Sequence, residues 1–501
     1  MLRFIARDAA MLRLTMATGS SDTLGSARIS ISVIMSFVGT LFVSPSTAIQ
    51  PGIVSRLETL LGPSLVLSGE RVTEKYAIEG MMPQVVLRPD SVEQIAAALR
   101  VANEENWTVV PFGGGTRQRV GTTPEKVEIV LSTEKLNAIE AYDPGDLTIG
   151  LQAGVSIARA TEACAQHRQL LPIEAAAGST IGGALATGAS GPLRCGFGGL
   201  RDFCIGVNFI TGDGAFGRGG GRVVKNVAGY DLTKLVIGSY GSLCVIVSAN
   251  FKLFPLPQQT RTFLCEFESM ADVFCFRDRL VKSPLSPLAA ELISPDAVEY
   301  LCDAEPRDPD SWAPASPLAN SDRRWQLSVR FAGSDRVLAR CRKELDIRAS
   351  RELGGTEDRD FWAKLGDFER RVMQRNRNAM IFQLEVPIAE SQSALEAGQT
   401  AATNYNFVVA AIGRATLGSF LVALLPLAID PPAVTQFAGA ASDFRSRLSR
   451  AASAVAVRCP HEAKLHFDVW GSTPTNVELM KKVKRALDPG GILNRGRFLA
   501  G

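Results

Sequence analysis

Gly178-Ser179-Thr180-Ile181-Gly182-Gly183-Ala184-Leu185-Ala186-Thr187-Gly188-Ala189-Ser190-Gly191 is the stretch on which the fold turns. It heads a region, Gly178 to Gly221, holding 15 of the 45 glycines in 44 residues. A third of the glycine in under a tenth of the chain is not a loop accident. Small residues and hydroxyls in this pattern let a flat ring and a diphosphate press against the backbone. A single Gly-Gly pair would read better as a close helix–helix or helix–sheet contact. Upstream, a strand over Thr108–Val110 runs into Pro111-Phe112-Gly113-Gly114-Gly115-Thr116. Each glycine there costs backbone entropy on ordering. Missing side chains let N–H groups close on phosphate oxygens as a nest, and Thr116 adds a hydroxyl. The alternative is a flexible turn. No Gly-Lys-Ser/Thr follows, so this is not a Walker A loop. Together the two segments point to a large cofactor.

The elements around these loops follow from pattern. Val85–Arg88 reads as a strand, and Ser91 with Gln94 forms a capping box. Val92, Ile95, Ala96 and Leu99 make one apolar helix face. With the strand into the triple glycine this is a β-α-β unit. Asp143-Pro144-Gly145-Asp146 turns into a strand over Leu147–Gln152, and Ala158–Arg168 reads as a helix. Gly212-Asp213-Gly214-Ala215-Phe216-Gly217 matches a dinucleotide fingerprint after the strand Gly206–Thr211, with Asp231 about 20 residues on. Such a fingerprint must open into a helix, and Arg218-Gly219-Gly220-Gly221-Arg222 cannot begin one. The match is rejected.

Arg222–Leu235 packs Lys225, Asn226, Tyr230 and Asp231 around Gly229. A basic residue such as Lys225 beside a flavin ring stabilises the negative charge of its reduced form; an ion pair of Lys225 with Asp231 at a helix start is the structural alternative. Gly238-Ser239-Tyr240-Gly241-Ser242-Leu243 then leads into the apolar strand Cys244–Ala249.

At 501 residues, two or three domains are expected. Residues 1–52 form an extension, 53–257 a glycine-rich domain closed by Phe254-Pro255-Leu256-Pro257, 258–457 a mixed domain, and 458–501 a tail. The mixed domain holds strands such as Gln326–Phe331 and Phe407–Ile412 and a polar loop from Glu305 to Asp322. The composition, 46% hydrophobic and 21% charged, is that of an ordinary globular protein. A net charge of +3 leaves no nucleic-acid footprint. Nine cysteines without a CxxC argue against a disulfide framework, a structural zinc or an iron–sulfur cluster on this chain. Three histidines, His167, His461 and His466, are too few for much metal or histidine chemistry. No metal site is expected, and the hard chemistry falls to a cofactor. The apolar run Ile29–Val43, between Arg28 and Ser46-Thr47-Ala48, has the layout of a secretory signal and is too short to span a bilayer. An upstream extension is the other reading.

With these residues assembled, the region from about Val66 to Pro257 resembles the vanillyl-alcohol oxidase (PCMH-type) FAD-binding family. Within it the chain looks most like the FAD-binding subunits of bacterial glycolate oxidases, on the string Gly220–Leu232 (GGRVVKNVAGYDL). Pro111–Thr116, Thr180–Gly183, Gly238–Ile246 and the tail Asp488–Asn494 carry the generic part. The resemblance implies an α+β fold: an FAD-binding domain of two α/β subdomains, an α+β cap, and a C-terminal segment returning to the first domain. It implies that Phe112, Gly113, Gly114, Gly115 and Thr116, after Pro111, wrap the FAD pyrophosphate. It places Pro172, Thr180, Ile181, Gly182, Gly183, Gly188, Ser190 and Gly191 along the cofactor channel. Arg201 and Asp202 match the family's Arg-Asp pair, Ile246 an apolar contact, and Asn494 a contact from the tail. No histidine lies between Gly113 and Gly121, so FAD is expected to be non-covalent. The family's usual asparagine near Thr187–Ser190 is replaced by Gly188, and the histidine motif of the catalytic hydroxy-acid dehydrogenase subunit is absent.

The resemblance further implies an oxidoreductase acting on the CH–OH group of a small 2-hydroxy acid, glycolate or lactate. Its partners would be a second FAD-linked subunit and an iron–sulfur subunit. It implies a cytoplasmic protein, with peripheral membrane association through the complex; the signal-like N-terminus leaves export open. A stand-alone FAD dehydrogenase for another alcohol and a non-catalytic flavin relay remain alternatives. Oxidation of a hydroxy acid needs a cation for the carboxylate and a base for the hydroxyl proton. Arg330 and Arg414 are candidates for the first; the base is not assigned.

Overall fold

The computed structural model describes residues 51–222, 230–302, 324–346, 349–427 and 433–498. The apolar run 29–43, Lys225 with most of its motif, and the polar loop after Glu305 lie outside these residues. The architecture is α+β, with three principal sheets that meet around one cavity.

The first sheet sets Val66–Ser68, Val85–Leu87, Ile129–Ser132 and Val109–Phe112 side by side in that order. The last three run parallel, and Val66–Ser68 runs antiparallel to its neighbour. The crossover helix Val92–Glu104 starts at Ser91, whose hydroxyl accepts from Gln94 N–H at 3.3 Å. Gln94 reaches back to Asp90 N–H at 2.9 Å rather than to Ser91, so the expected box closes one residue early. The buried face is Ile95, Ala98, Leu99 and Ala102, turned from the expected stripe because the two alanines lie close to the sheet while Val92 and Ala96 sit at its margin. Val109–Phe112 is the edge strand, and an open edge invites pairing. The C-terminal segment covers it: Val109 N–H donates to Ile492 O, and Asn494 N–H to Val109 O, both at 2.9 Å. Ile492 and Leu493 complete the core beneath.

The second sheet is antiparallel, in the order Ile139–Asp143, Thr148–Gln152, Cys244–Lys252, Cys204–Thr211, Phe216–Gly220. The rejected fingerprint Gly212–Gly217 is the tight turn between its last two strands, with Thr211 N–H bonded to Ala215 O at 2.9 Å. Helix Ile181–Thr187 lays Ile181 and Leu185 on this sheet.

The third sheet is an eight-stranded antiparallel layer. Its order is Arg351–Gly354, Thr260–Phe267, Trp325–Ala332, Ala289–Ile293, Phe407–Arg414, Ser419–Pro426, Met380–Glu385, Ser453–Arg458. Alternation along a strand sends neighbours to opposite faces. Leu292, Ala411, Val422 and Phe382 face helices Met270–Lys282, Ser391–Asn404 and Val434–Ser446. Ile293, Ile412, Ala423 and Ile381 face the opposite way, against helices Gly355–Gly366 and Phe368–Arg375. Glu291 and Arg414 belong to this second face by the same alternation, and it is the face turned to the cavity.

Candidate functional site

A cavity of about 480 Å³ lies between the glycine loops of the first two sheets and the inner face of the third. The loops form its floor because their backbones touch. A Cβ on Gly114 would stand 1.9 Å from Gly178 O, and one on Gly113 would stand 2.4 Å from Thr180 Oγ1. Gly115 has φ +74°, which β-carbon sterics disfavour. The triple glycine is thus the seam along which two distant segments meet, rather than a flexible turn. Thr116 Oγ1 and Ser179 Oγ, 3.0 Å apart, fasten the seam. Thr180 caps helix Ile181–Thr187 by accepting from Gly183 N–H at 3.2 Å.

The third sheet clamps this floor through charge. Arg458 donates to Thr116 O at 2.8 Å and pairs with Glu369 at 2.6 Å, and Glu369 also binds Arg117. From the tail, buried Arg497 donates to Val120 O at 2.9 Å and Gln118 Oε1 at 3.1 Å, leaving its Nε without a partner among the described residues. Burial pulls the Arg497 guanidinium down to about 10, so it stays a cation at neutral pH. Asn494 donates to Tyr240 O at 2.7 Å. Tyr240, Trp470 and Phe498 form an aromatic cluster on the same wall, with ring centroids 4.8–6.0 Å apart.

At the other end stand Arg414, Glu291 and Glu174. Arg414 is 5% exposed; its Nη1 donates to Ser190 Oγ at 2.9 Å and its Nε has no partner among the described residues. Glu291 lies directly across from it in strand register. Glu174 enters from the segment after Gln169–Leu170 and accepts from Leu193 N–H at 2.6 Å. Burial pushes Glu291 up to about 8 and Glu174 up to about 7, against the pull of Arg414 on both.

The structure brings Pro111, Phe112, Gly113, Gly114, Gly115, Thr116, Thr180, Gly182, Gly183, Ser190, Gly191, Ile246 and Asn494 to the wall of this one cavity. Pro172 and Ile181 are buried away from it. Gly188 ends its helix at φ +62° beside Gly238. Arg201 donates to Ile237 O and Asp202 accepts from Gly199 N–H, each at 2.7 Å, off the wall. Lys225 lies outside the described residues, and Asp231 pairs with Lys234 at 3.0 Å. Of the two candidate arginines, Arg330 is tied to Asp358 at 2.5 Å. Arg414 reaches the cavity. Glu174, Glu291, Glu369, Arg458 and Arg497 were not anticipated there. The first two had a signal, a lone acid inside the apolar runs Ile173–Ala177 and Ala289–Ile293.

The wall suits FAD. Gly113–Gly115, Ala175–Ala177 and Gly182–Ala184 leave backbone bare of side chains on one side. Two arginines of its wall, Arg414 and Arg497, have an Nε with no partner among the described residues.

The fold and the site define a flavin-dependent oxidoreductase with FAD as its cofactor. The chain belongs to the FAD-linked oxidases: it matches the FAD binding domain over residues 83–218 and the FAD linked oxidases, C-terminal domain, over 256–428 and 470–498. It is 25% identical to glycolate oxidase subunit GlcD of Bacillus subtilis over 437 residues, 84% of this chain and 89% of that one. It is 33% identical to D-lactate dehydrogenase of Archaeoglobus fulgidus over 217 residues, 43% of this chain and about half (48%) of that enzyme. Among solved structures, p-cresol methylhydroxylase has the same fold, with a TM-score of 0.68 at 17% identity, covering 89% of this chain and 96% of that one.

Proposed function

We propose that the chain is the FAD-binding subunit of a glycolate oxidase-like complex that oxidises a small 2-hydroxy acid, glycolate or lactate, to the 2-oxo acid. The observation that carries this reading is Arg414. It is a buried guanidinium with a free donor, in the same cavity as the glycine seam. A planar cation of this kind holds a carboxylate by two parallel hydrogen bonds.

FAD, when bound, supplies a two-electron acceptor for the CH–OH group. The chain's part is to bind and orient. Gly113–Thr116 offers backbone N–H groups to the diphosphate, Arg458 and Glu369 hold that loop against the third sheet, and Arg414 fixes the substrate carboxylate. The flavin is non-covalent in this reading, with no histidine between Gly113 and Gly121 to attach it. The domains take the bounds 53–257 for the cofactor, 258–457 for the substrate cap and 458–501 for the tail. The second flavoprotein subunit and the iron–sulfur subunit rest on the likeness to the Bacillus subtilis subunit. The location that goes with it is cytoplasmic, with peripheral contact to a membrane through the complex. Among the described residues no helix is long and apolar enough to cross one.

A second reading, a stand-alone dehydrogenase, is favoured by the two buried carboxyls that join Arg414 in one chain. Anaerobic addition of glycolate or D-lactate to the flavin-loaded chain, with and without its partners, separates the two. Bleaching of the flavin that requires the partners supports the subunit; bleaching at full rate by the chain alone supports the second reading. Flavin that stays oxidised in both defeats the assignment. Arg414→Ala should raise KM for the hydroxy acid by at least about tenfold while the flavin content holds, and Arg414→Lys should recover only part of the loss.

A further inference from the structure

Asp358 shows what a structural buried carboxylate looks like in this protein. It is 0% exposed and accepts from Thr260 Oγ1 at 2.7 Å, Thr262 Oγ1 at 2.5 Å and Arg330 at 2.5 Å. Glu291 lies on the sheet face against which the helix of Asp358 packs, 3% exposed, and its Oε1 has no hydrogen-bond partner among the described residues. A carboxyl buried without hydrogen bonds is costly, and natural interiors rarely tolerate one without a use for it. Glu291 stands in an otherwise apolar strand, Ala289–Ile293, and lines the cavity directly across from Arg414.

We infer that Glu291 is the base that takes the substrate hydroxyl proton, with Glu174 as the second carboxyl that sets its charge. This rests on the 2-hydroxy-acid reading above. A 2-hydroxy acid has its carboxylate one bond from the carbinol carbon, so a clamp and a base on neighbouring strands match its two ends. The hydroxyl O–H bond breaks with its proton going to Glu291. FAD, when bound, would accept the electron pair of the α C–H bond as hydride, and the carbon–oxygen double bond would form. The substrate loses two electrons and two hydrogens, and Glu291 ends protonated.

The groups that face Glu291 are few. Arg414 comes from the adjacent strand, Glu174 from the flavin-domain segment opposite, and Cys195 from helix Arg194–Phe197. Arg330, on the strand paired with Ala289–Ile293, is tied to Asp358, and its charge also pulls on Glu174. A neighbouring carboxylate and burial both favour the protonated form, and Arg414 opposes them. The ionised base therefore grows in as pH rises past neutrality, which is where a general base works best.

The test uses the flavin-loaded protein with its partners, comparing wild type, Glu291→Gln, Glu291→Asp and Glu174→Gln. Three readouts are taken: flavin reduction by glycolate or D-lactate under anaerobic conditions, its pH profile, and the carboxylic-acid C=O stretch in the infrared. Glu291→Gln should keep its flavin, slow reduction by about a hundredfold or more with little change in KM, and lose an infrared band that wild type shows near neutral pH. Glu174→Gln should move the rising limb of the pH profile to lower pH, because a like charge has gone. Should Glu291→Gln not fold, Glu291→Asp should keep the pH limb at a reduced rate. Reduction of Glu291→Gln within threefold of wild type, or an unchanged infrared band, overturns the role alone. A wild type that no 2-hydroxy acid reduces overturns the substrate reading and this role together.

Discussion

Gly114 has no side chain because the backbone of residue 178 occupies the place. Gly114→Ala drives a methyl into a carbonyl oxygen that belongs to the other glycine segment. Overpacking of this kind costs about 1–3 kcal/mol, and here the strain falls on the cavity floor. We expect a lower melting temperature and a lower flavin-to-protein absorbance ratio in the purified variant; a normal ratio would mean the seam can open without losing the cofactor. Three adjacent glycines announced in the sequence that something presses on them. Which distant backbone does so was not legible, because the contact spans more than sixty residues and leaves no periodic trace. Glu174 and Glu291 were legible in a weaker sense. Each is a lone acid in an apolar run, but only the fold shows that both runs end at Arg414. Arg201 and Asp202 match a family motif; in the fold Arg201 donates to Ile237 O on a distant segment, and Asp202 accepts from Gly199 N–H at the start of its own short helix.

At the scale of elements, helix Val477–Leu487 holds the tail in place through one buried pair. Lys484 Nζ donates to Asp488 Oδ2 at 2.6 Å, Ser242 O at 2.7 Å and Leu493 O at 2.8 Å. Asp488 in turn accepts from the N–H groups of Ile492 and Leu493. Burial pulls the Lys484 ammonium below its usual range, and Asp488 opposes the shift. Removing one partner of a buried pair strands the other charge, at about 3–5 kcal/mol. Asp488→Asn should therefore lower the unfolding free energy by that amount, read as a lower guanidinium midpoint at unchanged slope, whereas the double change Lys484→Met, Asp488→Leu should recover part of it. Equal losses in the single and double variants would mean that the N–H groups of the tail, not the ion pair, dominate. The sequence made the return of Asp488–Asn494 an expectation by resemblance. The clasp itself was out of reach, because one of its acceptors, Ser242 O, comes from far upstream.

The whole molecule carries two acids in protonated form where solvent would ionise them. Glu174 and Glu291 sit at about 7 and about 8 in the fold, against an ordinary value of 4.5. The folded chain thus binds more protons than the unfolded one between those limits, and stability falls as pH rises there. Below about pH 4.5 their contribution is fully present; it is lost as pH passes through 7 and 8. A thermal-melt series from pH 5 to pH 8.5 should show a falling melting temperature, and the pair Glu174→Gln, Glu291→Gln should flatten that slope. A parallel slope in the double variant would assign the effect elsewhere. Strands such as Trp325–Ala332 and Phe407–Arg414 could be read from their apolar pattern. Their places in the third sheet could not, since Thr260–Phe267 pairs with partners more than fifty residues further on and every neighbour is antiparallel. Fold class and cofactor were visible at the level of motif; the cluster of Arg414, Glu291 and Glu174 was visible only once three sheets were set around the cavity.

The clasp at Asp488 and the pairing of Val109 with Ile492 also fix an order in time. A ribosome releases residues 109–116 long before residue 494, so the nascent glycine loop waits beside a missing wall while nearly four hundred further residues are made. The wall of the cavity is then complete only after translation, when Asn494, Arg497 and Phe498 dock. Until then the edge strand Val109–Phe112 lacks the partner that covers it in the finished fold.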